Sequence, residues 1–241
     1  MKLNCDLGES YGAWSMGLDS DVMPFIDQAN LACGFHAGDP LVMQNTLALA
    51  KQFNVKVGAH PSYPDIVGFG RRSMHCSAPE LNALLHYQIA ALDGMAKVQG
   101  VVIDYVKPHG ALYNDMMRDV EIFKTILTAV HHYPTKLALM VQASVNNDVY
   151  QQLASGVGIK LYFEAFADRC YDDDGHLLSR HLPGAVLTKQ NMLLQVEQLA
   201  NHSIIISKSG KKLPIKADSI CVHGDNKAAV NAIAEVKALI S

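Results

Sequence analysis

Short apolar runs recur along the chain, separated by longer stretches with helical periodicity. Several runs are apolar at consecutive positions, as expected for parallel strands that are buried on both faces. The runs predict strands at residues 2–6, 29–33, 55–59, 105–107, 137–141, 160–166, 203–207 and 219–222.

Two of the helical stretches carry clear start signals. Asp39 followed by Pro40 predicts an N-cap and a first helical residue. Residues 77–80 read Ser-Ala-Pro-Glu, a capping box, and predict a helix that stops at Gly100. Further apolar stripes predict helices at residues 123–130 and 229–240.

Strands that alternate with one-sided helices predict an α/β fold built from crossover βαβ units. Seven or eight such units in 241 residues favour a closed or nearly closed barrel, with an open doubly wound sheet as the alternative. Residues 203–215 resemble a hairpin around Ser209 and Gly210, so we expect an irregular barrel of seven strands. Neither a linker nor a repeat divides the chain, and we predict one β/α-barrel domain over residues 1–241.

The composition excludes several classes of protein. Hydrophobic residues make up 49% and charged residues 18%, below the roughly 25% of an average soluble domain, so the chain is predicted to fold. Lys and Arg number 20 against 23 Asp and Glu, and no basic stretch indicates nucleic-acid binding. No apolar run approaches about 18 residues, so no membrane span is predicted.

The first residues and the cysteines bear on location. Asp6 lies where the apolar part of a secretory signal would begin, so we expect a cytoplasmic protein. The five cysteines are scattered without a C-x-x-C pair, which argues against a disulfide framework and against a thiolate zinc site.

Polar and titratable residues follow the predicted strands. In a parallel barrel the loops after the strands form the functional mouth, and five of these loops also contain small residues that permit tight turns. The polar residues at these positions are Asp6, Glu9, His36, Asp39, His60, Asp65, Lys107, His109, Glu164, Asp168, Arg169, His223 and Asp225. A single histidine at a strand end is more often structural, but the convergence of five segments predicts a catalytic mouth.

Three of these residues are candidate metal ligands. Asp6, His36 and His60 are of the types that divalent metals accept, and separate loops can bring them together. No local motif such as H-E-x-x-H requires a metal, so a divalent ion is a hypothesis.

Two further segments suggest acid–base chemistry and anion binding. Lys107 lies two residues before His109, which suits a carboxylate substrate, although a buried lysine paired with carboxylates is the alternative. His223 and Asp225 open the final predicted helix, where backbone amides can receive an anion, or where Asp225 simply caps the helix.

Nucleotide-binding motifs are missing from the sequence. No G-x-x-x-x-G-K-[ST] occurs, and no G-x-G-x-x-G opens a helix. If a nucleotide takes part in the reaction, we therefore expect a partner subunit to hold most of it.

Seven motifs, in order along nearly the whole chain, resemble those of the LamB/YcsF family. They are Asn-Cys-Asp-Leu-Gly-Glu-Ser (4–10), Ala-Cys-Gly-Phe-His-Ala-Gly-Asp-Pro (32–40), Gly-Ala-His-Pro (58–61) with Tyr-Pro-Asp (63–65), Gly-Phe-Gly-Arg-Arg (68–72), Val-Lys-Pro-His-Gly-Ala-Leu-Tyr (106–113), Glu-Ala-Phe-Ala-Asp-Arg (164–169) and Cys-Val-His-Gly-Asp-Asn (221–226). Ser62 departs from the pattern, since glycine is frequent there.

The resemblance implies an irregular seven-stranded β/α barrel of the glycoside hydrolase/deacetylase type. It also implies the role of the A component in an ATP-dependent 5-oxoprolinase, which hydrolyses the lactam of 5-oxo-L-proline to L-glutamate together with further subunits. ATP is then expected to bind mainly to those partners. Activation of the stable lactam, for example by phosphorylation of its carbonyl oxygen, would make attack by water feasible.

Roles within this reaction are hypotheses. Asp6 or His60 is the candidate general base, and His109 or His223 the candidate acid that protonates the ring nitrogen. Lys107 or Arg169 is the candidate for holding the substrate carboxylate. The residues assigned to substrate binding are Glu9, His36, Lys107, Asp168, Arg169 and Asp225.

Two alternatives come from other functional classes. The first is a stand-alone metal-dependent deacetylase or amidohydrolase that acts on a small amide or amino sugar without ATP or partners. The second is a non-catalytic binding subunit whose polar mouth binds a ligand without reacting. Metal content and ATP dependence distinguish the first alternative from the oxoprolinase.

Overall fold

Seven parallel strands form a closed barrel in the computed structural model, which describes residues 1–16, 18–223 and 230–240. Around the barrel the strand order is β1-β2-β3-β4-β5-β6-β9. The barrel strands are β1 (Lys2–Leu7), β2 (Gln28–Ala32), β3 (Lys56–His60), β4 (Ile103–Val106), β5 (Ala138–Gln142), β6 (Leu161–Phe166) and β9 (Ser219–His223). The predicted seven-stranded β/α barrel is confirmed.

The last strand closes the barrel. β9 pairs in parallel with β1, where Leu3 lies opposite Ile220, and with β6, where Ala165 lies opposite Ile220. Ile220 is fully buried, as are Leu3 and Ala165, so the closing seam is part of the apolar core. Residues more than 200 positions apart in sequence are therefore neighbours at the seam.

The remaining two strands form the predicted hairpin outside the barrel. β7 (Ile204–Ile206) and β8 (Lys212–Pro214) are antiparallel and form a separate two-stranded sheet. The basic residues between them belong to its turn, which explains why this segment interrupts the regular alternation of strands and helices.

Helices surround the barrel, and none of those described is long and apolar enough to cross a membrane. A short 3-10 helix, Met23–Phe25, follows the first of them. The helices are α1 (Asp19–Val22), α2 (Pro40–Gln52), α3 (Ala78–Val98), α4 (Gly110–Arg118), α5 (Val120–His132), α6 (Asn147–Gly156), α7 (Lys189–His202) and α8 (Ile233–Ile240).

The sequence signals for helix starts correspond to real caps. Asp39 Oδ1 accepts hydrogen bonds from the amides of Leu41 (2.9 Å) and Val42 (3.0 Å) at the start of α2. At the start of α3, the amide of Ser77 donates to Glu80 Oε2 at 2.8 Å, which completes the predicted capping box. Both predicted starts are confirmed.

The strand boundaries differ from the predictions by one or two residues. The fourth strand begins at Ile103 and ends at Val106, whereas the apolar pattern predicts 105–107. The backbone still continues the ladder beyond the strand, because the Lys107 amide donates to the Ala59 carbonyl at 2.8 Å. All five cysteines are unpaired thiols, and four of them are buried, as expected.

A glycine on β3 makes room for a tyrosine inside the barrel. Tyr105 is fully buried, and its ring lies directly against Gly58. A Cβ atom at position 58 would overlap ring carbons of Tyr105, so only glycine fits this site without movement of the ring or the strand.

Gly58→Ala is therefore expected to lower the free energy of unfolding by about 1–3 kcal/mol, the usual cost of overpacking a core. Gly94→Ala is the matched control, because Gly94 lies within α3 and a Cβ there meets nothing within 4 Å. The control should be neutral or more stable by about 0.5–1 kcal/mol. Urea unfolding measures both, and equal stability of Gly58→Ala and the unaltered protein would contradict the packing argument.

Candidate active site

The carboxyl ends of the barrel strands surround a cavity of about 260 Å³. Most of the residues predicted for the site line it, namely Asp6, Glu9, His60, Lys107, His109, Arg169 and His223. His36 and Asp168 lie behind this layer, in contact with Glu9 and His223 respectively. Asp225 lies outside the described residues. The predicted mouth is therefore formed at the expected end of the barrel.

A buried ammonium forms the floor of the cavity. Lys107 is 2% exposed, and its Nζ lies 2.8 Å from Asp6 Oδ1 and 3.0 Å from Glu164 Oε2. It also donates to Asn4 Oδ1 at 3.4 Å and lies 3.2 Å from Cys221 Sγ. Burial alone would lower the pKa of Lys107, but the carboxylates of Asp6 and Glu164 raise it well above its ordinary value. Lys107 is therefore charged.

Asp6 is held in one orientation on β1. Its Oδ1 accepts hydrogen bonds from Lys107 and from Asn30 Nδ2, both at 2.8 Å, while Oδ2 lies 3.4 Å from His60 Nε2. Burial alone would raise the pKa of Asp6, but the charges of His60 and Lys107 outweigh burial and hold the pKa well below its ordinary value. Asp6 therefore presents an ionised oxygen, Oδ2, on the side of His60.

Two histidines from neighbouring strand ends face each other. His60 Nδ1 lies 2.7 Å from the Lys107 carbonyl, and His109 Nε2 lies 2.9 Å from the Phe69 carbonyl. Since a carbonyl oxygen only accepts, both of these ring nitrogens carry the hydrogen and donate it. The other two nitrogens, His60 Nε2 and His109 Nδ1, are 2.9 Å apart.

His36 and Glu9 complete this histidine group. The His36 ring stacks on the His109 ring with centroids 3.7 Å apart and an interplanar angle of 4°. Glu9 Oε1 lies 3.3 Å from His36 Nε2 and 3.5 Å from His109 Nδ1. Burial, together with the charge of neighbouring histidines, lowers the pKa values of His36 and His109 well below the ordinary value. Both rings are therefore neutral.

Two glycines fix the loop that carries the Phe69 carbonyl. The Ala111 amide donates to the Gly70 carbonyl at 2.8 Å, which joins the loop to the first turn of α4. A Cβ at Gly110, whose φ is +57°, would lie 2.5 Å from the Gly70 oxygen. This close approach requires glycine at position 110, directly after His109.

A histidine–carboxylate pair lies on the opposite side of the cavity. His223, at the end of β9, has Nδ1 2.8 Å from Oδ1 of the fully buried Asp168. The His223 ring stacks on Phe166 with centroids 5.6 Å apart. Within the described residues, Nε2 of His223 has no hydrogen-bond partner, so this nitrogen is the one available to a substrate.

Arg169 supplies a cation near this pair. The residue is 7% exposed, and one of its terminal nitrogens donates to the Leu178 carbonyl. Its Nε is buried and has no hydrogen-bond partner among the described residues. Burial, assisted by the charge of Arg180, lowers the pKa of Arg169 to about 10, so the guanidinium is still charged at neutral pH. A buried donor without a partner is a candidate anion-binding group.

Two important residues have no role assigned from the sequence. Glu164 and Asn30 are fully buried within barrel strands and hold Lys107 and Asp6. The signal that points to them is a polar residue inside an otherwise apolar strand. Two strand-end acids have other roles, because Asp39 caps α2 and Asp65 is paired with Arg72.

Two groups of donors in the described part of the chain have the residue types that hold divalent metals. Within each group the donor atoms all lie within 4.8 Å of one another. The groups are Glu9, His36, His60 and His109, and Asp6, Cys221 and His223. The chemistry of both groups fits a metal ion.

A closed β/α barrel with ionised, basic and imidazole groups at the carboxyl ends of its strands has the architecture of a barrel enzyme. The LamB/YcsF family model matches residues 1–241, and the chain therefore belongs to the LamB/YcsF family. The family resemblance of the sequence motifs is confirmed.

Proteins similar to this chain have related names. The second of the 5-oxoprolinase A-subunits of Pseudomonas putida is 53% identical over 98% of this chain and 92% of its own length. The 5-oxoprolinase A-subunit of Vibrio cholerae is 49% identical over 100% and 97%. The crystal structure of the lactam utilization protein from Thermus thermophilus matches with a TM-score of 0.88 at 38% identity, covering 98% of this chain and 95% of that one.

Proposed function

We propose that this chain is the A component of an ATP-dependent 5-oxoprolinase, a hydrolase that opens the lactam of 5-oxo-L-proline to L-glutamate. The observation that carries the proposal is the match over nearly the whole chain, at about half identity, to relatives of that name. The site is compatible with this reaction, because the cavity contains a carboxylate, a histidine–carboxylate pair and a buried arginine. These are the groups that hydrolysis of a small acidic amide requires.

Arg169 is the proposed partner of the substrate carboxylate. Its buried Nε lacks a hydrogen-bond partner in the described part of the chain, whereas Lys107 Nζ is already paired with Asp6 and Glu164. An incoming carboxylate would satisfy Arg169 but would compete with two existing ion pairs at Lys107. Of the two candidates from sequence, Arg169 is therefore favoured.

Asp6 is the proposed base and His223 the proposed acid. Asp6 Oδ2 accepts the proton of the attacking water as the oxygen adds to the lactam carbonyl carbon. The ring C–N bond then breaks, and protonated His223 donates from Nε2 to the departing nitrogen while Asp168 holds Nδ1. His109 is a poorer acid, because both its nitrogens face other groups, the Phe69 carbonyl and His60.

The low pKa of Asp6 bears on the need for ATP. A carboxylate with a low pKa is a weak base, so it activates water poorly. Such a base suffices only when the lactam carbonyl has already been activated. This supports ATP-driven activation of the substrate by partner subunits that bind the nucleotide.

The remaining parts of the proposal are the cellular context and a metal ion. We place the protein in the cytoplasm as one domain over residues 1–241, with the other oxoprolinase subunits as partners and no nucleic acid or membrane involved. A divalent ion in the cavity is included, since the donor groups fit one.

Glutamate release from 5-oxo-L-proline tests the function. The purified chain alone should release none, and release should require the partner subunits and ATP together. His223→Ala in the same mixture controls for contaminating hydrolases. No release from the complete mixture would overturn the proposal. Release from a simple amide by the chain alone would support the amidohydrolase, which the histidine group also favours.

A further inference from the structure

We infer that one divalent metal ion of the zinc type binds between His60 Nε2, His109 Nδ1 and Glu9, with His36 as a supporting residue and not a ligand. The inference rests on the proposed function only in sharing its cavity, and it names the ligands that the sequence leaves open. When bound, such an ion would supply Lewis-acid chemistry at the lactam carbonyl.

The hydrogen bonds of the two rings carry this inference. His60 donates from Nδ1 to the Lys107 carbonyl, and His109 donates from Nε2 to the Phe69 carbonyl. In neutral rings, His60 Nε2 and His109 Nδ1 are therefore both bare lone pairs, yet they face each other at 2.9 Å. Two facing lone pairs repel unless a cation lies between them, and that cation is either a shared proton or a metal ion.

The outer contacts of the rings favour a metal. Histidines that ligate metals almost always donate their other ring N–H to a carboxylate or a backbone carbonyl, which fixes the tautomer. His60 and His109 both have this arrangement, and both are buried. The glycine contact between positions 70 and 110 holds the Phe69 carbonyl in place for this purpose.

The spacing of the donors also fits a single ion. Zinc–nitrogen bonds of about 2.0–2.1 Å in a tetrahedral site place neighbouring ligand atoms about 3.3 Å apart. The pair His60 Nε2 and His109 Nδ1 is separated by 2.9 Å, and His109 Nδ1 and Glu9 Oε1 by 3.5 Å. Two histidines and one glutamate also leave the fourth position open, as in catalytic zinc sites.

His36 and Asp6, the other candidates from sequence, are placed beside the ion. The His36 ring is parallel to the His109 ring at 3.7 Å, so an ion in the plane of His109 is out of the plane of His36. His36 Nε2 instead reaches Glu9 Oε1 at 3.3 Å and orients it. Asp6 is committed through Oδ1 to Lys107 and Asn30.

The buried charges point the same way. Asp6, Glu9 and Glu164 are each at most 7% exposed and carry three negative charges, while buried Lys107 carries one positive charge. A divalent cation brings the sum of these charges to zero, whereas one shared proton leaves a net charge of −1. Uncompensated charge is costly in a buried site.

Metal binding can be measured without any assay of activity. Chelator-treated protein titrated with Zn²⁺, or with Co²⁺ followed by its visible absorption bands, should bind about one equivalent. His109→Ala and the conservative Glu9→Gln should each weaken binding by about 100-fold or more. His223→Ala is the matched control, because it removes a histidine of the same cavity that is not a ligand, and it should bind as the unaltered protein does.

Three outcomes would overturn the inference. They are the absence of stoichiometric binding, equal binding by the His109→Ala and Glu9→Gln variants, and nitrogen NMR signals of metal-treated protein that show a proton held between His60 and His109. Circular dichroism of each variant shows whether it is folded. Glutamate release is measured separately, so metal binding without release would remove the proposed function and leave the metal site.

Discussion

Asp6→Asn should lower the rate of glutamate release by the complete enzyme by about 10²- to 10⁴-fold. The substitution keeps the size of the side chain but removes the ionised oxygen, Oδ2, that we propose as the base. Turnover measured at saturating ATP and 5-oxo-L-proline tests this expectation, because the defect should appear in kcat more than in KM.

A matched control separates chemistry from structure. Glu164→Gln removes the other carboxylate of Lys107, at 3.0 Å against 2.8 Å for Asp6, but Glu164 is not among the residues that line the cavity. If Asp6 acts as the base, Glu164→Gln should keep its rate within about tenfold of the unaltered enzyme. Equal losses in the two variants would reduce Asp6 to a partner of Lys107.

Lys107→Met should be the most destabilising of the substitutions considered, lowering the free energy of unfolding by about 3–5 kcal/mol. Methionine fills much of the same volume but leaves Asp6 and Glu164 without their shared cation, in positions that are 6% and 0% exposed. For a chain of this length the melting temperature should fall by about 6–20 °C. Urea unfolding and thermal melting both measure the effect.

Two variants show whether the stranded charges cause this loss. Lys107→Met combined with Glu164→Gln removes one of the two uncompensated carboxylates, so the double variant should be more stable than Lys107→Met alone. Lys56→Met removes an exposed ion pair with Asp104, at 3.4 Å, and should cost about 1 kcal/mol or less. A double variant no more stable than Lys107→Met would show that lost packing is the cause.

The barrel could be predicted because buried parallel strands leave a strong signal. A strand covered on both faces is apolar at consecutive positions, and seven such runs coincide with β1–β6 and β9. The helices α4 and α6 were harder to place, since His109 and Asn146 at their N-caps make no side-chain capping hydrogen bond. A cap that is absent in the structure leaves no mark in the sequence.

The site could be predicted in its members but not in its contacts. Topology brings strand ends together, so Asp6, His60 and His223 were expected to meet. Which nitrogen of His60 or His109 carries the hydrogen depends on the carbonyls of Lys107 and Phe69, which only the folded loops bring into reach. The commitment of Lys107 to two carboxylates likewise depends on Glu164, a residue inside a strand.

Closure of the barrel by β9 also sets an order of events during synthesis. Until residues 219–223 leave the ribosome, β1 and β6 lack the partner that both of them pair with in the finished barrel. Unpaired strand edges invite association with other chains, and pairs as distant in sequence as Leu3 and Ile220 form slowly. The nascent chain is therefore most exposed to aggregation just before its last strand appears, and the cavity is assembled only after that moment.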